Sequence, residues 1–229
     1  MKKHVIIKGV ALASAFGALL FFINSARARN RSLPSSMLVL GDSQVKRHLG
    51  RAYEDEFSEL EVNYYGKEGA TPQTYLTDPE VVNAVAQLPC ADIIVIQLGD
   101  NGIAQDSSHI TNLVDKLVEK CPNASLFWAG PMRAVAPTVQ SNYVDMKDST
   151  SPRYLPNYNR LRQVWDTRLR NALQPTKVEY VSNFDMQANQ PINSNFSNNR
   201  GGDGIHLTKD SAQALAQLMR PVVEDHFRG

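Results

Sequence analysis

The chain of 229 residues lacks an excess of either charge: 24 Lys and Arg stand against 23 Asp and Glu, a formal net charge of +1. That balance is unevenly spread. Residues 1–31 take six of the basic groups (Lys2, Lys3, Lys8, Arg27, Arg29, Arg31) and none of the acidic ones, leaving 18 against 23 over the rest, a net of −5. A nucleic-acid footprint needs a basic patch on the folded domain, so no nucleic-acid partner is expected. The chain also lacks a phosphate-cradling P-loop and a dinucleotide fingerprint. Four of its five histidines, His4, His48, His109 and His226, have no sequence context that points to metal ligation. No metal and no cofactor is expected. There is no internal repeat and no domain linker, and the length suits one well-buried domain of about 200 residues.

The first 31 residues stand apart from the rest. Met1 to Lys8 is basic, and Gly9 to Ile23 is apolar throughout except for Ser14. This is a charged region followed by an apolar one of signal-peptide length, and Ser25-Ala-Arg-Ala28 offers a small-residue cleavage site. Alternatively the segment stays as a single N-terminal membrane anchor. Either way the domain at 32–229 is expected to work outside the cytoplasm, in the periplasm, secreted or anchored. The two cysteines fit that compartment. Cys90 precedes the apolar run Ile93 to Leu98, and Cys121 precedes Ser125 to Ala129. Were these runs adjacent parallel strands, both thiols would lie at one sheet edge, where a disulfide could span them; two free buried thiols are the alternative.

From Met37 onward, short apolar runs alternate with helical periods. Strands are expected at Met37–Leu40, Leu60–Tyr65, Ala91–Leu98, Ala124–Ala129 and Lys177–Val181. Helices are expected at Gln44–Phe57, Pro79–Leu88 (capped by Asp78), Ser108–Lys120, Asn157–Leu173 and from Thr208 to about Phe227. Gly130–Pro156 and Ser182–Gly202 read as long polar loops. Alternation of this kind implies a parallel sheet with helices on both faces, whose reacting groups gather beyond the C-terminal strand ends.

Ser43, Gly69, Asn101, Arg133 and the pair Asp203–His206 all follow strand candidates. Strand, Gly41-Asp42-Ser43 turn, then helix is an arrangement that lifts a hydroxyl above the sheet edge, although Asp42 and Ser43 also suit simple helix caps. A serine hydroxyl is a weak nucleophile until an oriented base takes its proton. His206 can be that base and Asp203, three residues earlier, its orienting carboxylate. An oxyanion forming on an attacked ester needs donors held in place beforehand. The backbone N–H groups of Ser43 and Gly69 and the side-chain amide of Asn101 can supply them.

These residues resemble the SGNH (GDSL-type) hydrolase family. Gly41-Asp42-Ser43 is similar to its first motif, which carries the nucleophile, and Gly66-x-x-Gly69-x-Thr71 to its second. Gly99-Asp100-Asn101 resembles the third, with the side-chain oxyanion donor, and Asp203-Gly-Ile-His206 the last, with acid and base. The order runs across residues 36–227. One departure is Gly102 after the asparagine, where the family often has an aspartate. The resemblance implies an α/β/α sandwich with a mostly parallel, flavodoxin-like sheet of about five strands. It also implies ester hydrolysis through an acyl-serine.

An exported, mildly acidic domain suits an acyl ester, above all an acetyl ester, on an envelope or extracellular carbohydrate. The loop Gly130–Pro156, with Arg133, Tyr143 and Tyr154, would form one pocket wall, and Asp100 would lie near the substrate. An O-acetyltransferase using the same acyl-serine, a lipid esterase or thioesterase, and a non-catalytic binding protein on the same fold are the alternatives. No strongly apolar loop is present to act as the lid a lipid esterase would want.

Overall fold

The expected strands form where apolar and β-branched residues run uninterrupted. In the computed structural model, which describes residues 33–103, 106–189 and 202–228, they are β1 (Ser36–Gly41), β2 (Glu61–Gly66), β3 (Ile93–Gln97), β4 (Ser125–Ala129) and β5 (Glu179–Val181). The segment expected to direct export or anchoring, 1–31, lies outside the described residues. Residues Pro34–Val223 form one compact unit, which holds the sheet.

All five strands are parallel, in the order β2-β1-β3-β4-β5. This is the flavodoxin-like order, whose crevice opens where the strand order reverses, at the C-terminal ends of β1 and β3. The register places Val39 of β1 between Tyr64 of β2 and Val95 of β3. β3 is buried at every position, as expected of a central strand covered on both faces. One face carries Leu38, Leu40, Ile94, Ile96, Leu126 and Trp128 into a single apolar cluster. The alternate residues Met37, Val39, Ile93, Val95 and Phe127 point the other way by the strand's two-residue period and are equally buried.

The connecting helices are α1 (Gly50–Glu56), α2 (Thr74–Thr77), α3 (Pro79–Gln87), α4 (Ser108–Lys120), α5 (Leu155–Leu173), α6 (Asn183–Ala188) and α7 (Lys209–Arg228). Asp78 caps α3 as expected, its Oδ1 accepting the Glu80 N–H at 3.0 Å beside Pro79 at the first helical position. The apolar stripe of α4, Ile110, Leu113, Val114 and Leu117, is buried.

Three local differences from expectation have physical causes. The helix after β1 begins with a π-helical turn, Val45–Leu49, in which the Gly50 N–H reaches back to the Val45 carbonyl. Wider turns of this kind recur near functional sites. Within the expected loop 182–202, α6 forms because the Ser182 hydroxyl caps it by accepting the Asp185 N–H at 3.1 Å. The short helix α2 was hidden by the glycines before it. Its Tyr75 is buried and fastens the sheet edge: the Gly41 N–H donates to the Tyr75 hydroxyl at 2.9 Å, and that hydroxyl lies 2.5 Å from the Gly41 carbonyl.

Cys90 and Cys121 are joined as a disulfide, with Cα atoms 5.4 Å apart. They precede the neighbouring strands β3 and β4, so the bond ties the N-terminal edge, opposite the site. Because it closes a separation of 31 residues, replacing both cysteines by alanine should lower unfolding free energy by about 3–4 kcal/mol. Urea unfolding of oxidised wild type and the double variant measures this.

Candidate active site

Ser43 sits where β1 gives way to its helix. Gly41 is required there by contact rather than by an unusual backbone angle: it has no positive φ, and a Cβ would lie 2.3 Å from Val45 Cγ2 and 2.8 Å from the Gln97 carbonyl. Asp42 makes the cap. Its Oδ1 accepts the Gln44 N–H at 2.9 Å, and its Oδ2 accepts from Asn101 Nδ2 at 2.9 Å. Full burial, and then the nearby Asp100, push the Asp42 carboxyl well above the usual range. The cap function therefore falls to Asp42, while the Ser43 hydroxyl points elsewhere.

It points to His206. Ser43 Oγ lies 3.1 Å from His206 Nε2, and His206 Nδ1 lies 2.6 Å from Asp203 Oδ2. Asp203 also accepts the backbone N–H groups of Ile205 at 2.9 Å and His206 at 3.0 Å through Oδ1. Partial burial opposes its charge, but the imidazole and these two amides outweigh that and hold its carboxyl below the usual range. Gly204 makes this tight turn possible, with φ +79° and no room for a Cβ, which would lie 2.3 Å from the Val135 carbonyl. Serine and histidine are 5% and 7% exposed, so both are shielded yet reachable.

The loop between β4 and α5 is stitched to this segment. Val135 N–H donates to the Gly204 carbonyl at 3.0 Å, and Thr138 N–H to that of Gly202 at 2.9 Å. Ser141 Oγ donates to the Asp203 carbonyl at 2.8 Å and accepts the Tyr143 N–H at 3.0 Å. The Tyr143 ring meets the His206 ring edge-on, centroids 5.5 Å apart. Tyr154 lies farther along, its carbonyl accepting the Tyr158 N–H at 2.8 Å. An open cavity of about 810 Å³ lies along the loop, lined by Gln140, Asn142, Asp145, Met146, Lys147 and Arg153 among others.

Of the expected oxyanion donors, Ser43 opens a helix, where the first N–H groups lack intrahelical partners. Gly69 has φ +69° with nothing within 4 Å of where a Cβ would be. Its glycine is needed for backbone conformation, and the space beside it is open. Asn101 follows β3 at the same edge, but its Nδ2 already donates to Asp42 Oδ2 and, at 3.2 Å, to the Ala70 carbonyl. One of these bonds must open before the amide can reach an oxyanion.

Asp100 and Arg133 take other places than expected. Asp100 is 5% exposed and forms a buried ion pair with Arg162 of α5 at 2.8 Å, while its Oδ1 accepts the Met132 N–H at 3.0 Å. Arg162 also donates to the Met132 carbonyl at 2.5 Å. Asp100 thus braces the strand ends instead of facing substrate. Arg133 lays its guanidinium over the Phe184 ring, 4.3 Å from the centroid, and its N–H donates to Gln187 Oε1 at 2.8 Å. It packs against α6, where a buried apolar contact occupies it. Two residues that sequence reasoning passed over matter here. Arg162 heads the buried stripe Arg162, Asp166, Leu169 and Leu173 of α5, a charged residue at the spacing of a buried face. Gln44 looks like any helical residue, and nothing local distinguishes it.

Solved structures share this architecture. Phospholipase A1 from Streptomyces albidoflavus NA297 is 11% identical, with 84% of this chain and 99% of that chain covered and a TM-score of 0.61. A carbohydrate acetylesterase family member from Sinorhizobium meliloti is 14% identical, with 85% and 100% covered and a TM-score of 0.58. A lipase/acylhydrolase from Enterococcus faecalis is 15% identical, with 83% and 96% covered and a TM-score of 0.55. A structure named as an SGNH hydrolase from Slackia heliotrinireducens is 13% identical, with 83% and 100% covered and a TM-score of 0.61, so the shared fold is that of SGNH hydrolases. No protein-family model and no curated protein matches the chain.

Two outcomes follow from the charges described. Arg162→Leu should destabilise the domain by about 3–5 kcal/mol, because it strands the buried Asp100 carboxylate; urea unfolding reads this directly. The second concerns pH. A carboxyl held below its ordinary value of 3.8 stabilises the fold above that value and loses the contribution as pH falls through its folded value. The stability gap between wild type and Asp203→Asn should therefore be flat from pH 7 to 5 and close as pH drops below about 4.

Proposed function

We propose that this chain is a serine esterase acting through an acyl-serine. The observation that carries the proposal is the continuous line Ser43 Oγ, His206 Nε2, His206 Nδ1, Asp203 Oδ2, with steps of 3.1 and 2.6 Å across the imidazole. His206 takes the serine proton as Oγ attacks the acyl carbonyl. Asp203 holds the Nδ1 proton in place and stabilises the imidazolium. The N–H groups of Ser43 and Gly69 meet the oxyanion, joined by Asn101 once its amide leaves Ala70. His206 then passes its proton to the departing alcohol, and water, activated by the same imidazole, releases the acid.

The proposed substrate is a small acyl ester, an acetyl ester first, on a carbohydrate of the envelope or outside the cell. Support comes from the partly exposed Tyr143 ring, set edge-on against His206, since an amphipathic aromatic ring beside the reacting groups suits a sugar face. Among the solved structures, the one named as a carbohydrate acetylesterase family member favours the same choice, and those named phospholipase and lipase mark the lipid alternative. Export is proposed from the basic and apolar character of residues 1–31 and from the Cys90–Cys121 bond, which persists in oxidising compartments.

The test is hydrolysis of p-nitrophenyl acetate and of an acetylated oligosaccharide by residues 32–229. Acetate release from both, abolished in Ser43→Ala with unchanged circular dichroism, is expected. Full activity in Ser43→Ala would end the proposal. Preference for long-chain acyl esters would move it to lipids, and transfer of acetyl to an added sugar would make it a transferase. Asn101→Ala should lower kcat by about 10²-fold or more, with KM little changed, as loss of one oxyanion donor does.

A further inference from the structure

Ser43 and His206 are 163 residues apart in the chain, and the hydrogen bond between their side chains cannot by itself hold two segments in register. The residue beside the nucleophile does so. Gln44 is 2% exposed. Its Nε2 donates to the Ile205 carbonyl at 3.2 Å, and its Oε1 accepts the Leu207 N–H at 2.9 Å. These two peptide groups flank His206, one on each side. The C=O of Ile205 and the N–H of Leu207 both face the Gln44 carboxamide. A single carboxamide can therefore pair with both, as a neighbouring strand would.

The Gln44 backbone is fixed as well, because its N–H donates to Asp42 Oδ1. The His206 N–H is taken by Asp203 Oδ1. Three backbone polar groups around the imidazole are thus held: the Ile205 carbonyl and the Leu207 N–H by Gln44, and the His206 N–H by Asp203. Asp203 orients the ring, whereas Gln44 sets how far the ring's own backbone stands from the nucleophile.

We propose that Gln44 is a positioning residue that sets the Ser43–His206 separation by clamping the backbone on both sides of His206. The inference rests on the serine-esterase reading for its effect on rate. Both side-chain hydrogen bonds of Gln44 go to backbone beside His206, so it acts on the transition state through His206. A shift of about 1 Å in a catalytic pair costs on the order of 10²-fold in rate. Ground-state binding is left largely as it was.

The test uses Gln44→Met, which keeps length and loses both hydrogen-bonding atoms, and Gln44→Glu, which keeps the acceptor for Leu207. With p-nitrophenyl acetate, Gln44→Met should lower kcat about 10- to 100-fold with KM within about threefold of wild type. Gln44→Glu should fall between the two. The rate of fluorophosphonate labelling of Ser43 should drop in the same order. The His206 Nδ1–H proton resonance should be sharp in wild type and broadened by exchange in Gln44→Met. A folded Gln44→Met with wild-type kcat and an unchanged resonance would overturn the inference. Should Gln44→Met not fold, Gln44→Glu decides: wild-type kcat with an unchanged resonance overturns the clamp, and a reduced kcat at constant KM supports it. The two readings fail separately. Wild type that neither hydrolyses ester nor takes the fluorophosphonate defeats the esterase proposal, while the proton resonance still judges the clamp.

Discussion

The structure depends on one constraint: a parallel strand must be followed by a crossover that returns the chain to the same edge. Each of β1, β2, β3 and β4 therefore delivers its following residues to one end of the sheet, and the segment before α7 joins them there. Ser43, Gly69, Asn101 and Asp203–His206 meet at this end because the topology allows them nowhere else. The reversal of strand order between β1 and β3 leaves a crevice at their ends. The nucleophile borders it on one side and Asn101 on the other.

Around that crevice lie buried polar groups that stabilise nothing unless each finds its partner. Asp42, Asp100 and Arg162 are all nearly inaccessible to solvent. Arg162 from α5 neutralises Asp100, the backbone N–H of Met132 completes that carboxylate, and Asn101 spans to Asp42. The three C-terminal strand ends are thereby fastened in charge as well as in packing. On the far side, the loop between β4 and α5 gains order from four carbonyl and hydroxyl contacts to residues 202–204. It is a fixed wall against His206, which explains how a stretch of Pro, Ser and Asn keeps a defined shape without secondary structure.

The strands were legible because their burial is nearly complete, so apolar runs and strand positions coincide. The four motif clusters were legible because a glycine or a small polar residue at a strand exit has a local signature. The π-turn after Ser43 was not, since nothing local announces that Gly50, whose N–H reaches Val45, also packs against Tyr64, where a Cβ would lie 2.3 Å from the ring. Likewise α6 was masked by the polar composition around it. Arg133 and Asp100 read as site residues from position alone, because a sequence cannot say whether a charged group at a strand end faces the crevice or a partner behind it.

What the amino-acid order decided by itself was local: which runs bury, where a glycine must stand, which residue caps which helix, and which chemical groups appear at strand exits. What only the tertiary structure decided was pairing. Arg162 meeting Asp100, Cys90 meeting Cys121, and Gln44 holding the backbone on both sides of His206 all join residues tens to more than a hundred positions apart. Hydrogen bonds and ion pairs act over about 3 Å, a distance that has no image in sequence separation. Hence the composition of the site was visible in the chain, and its geometry arose only when the sheet brought the two ends together.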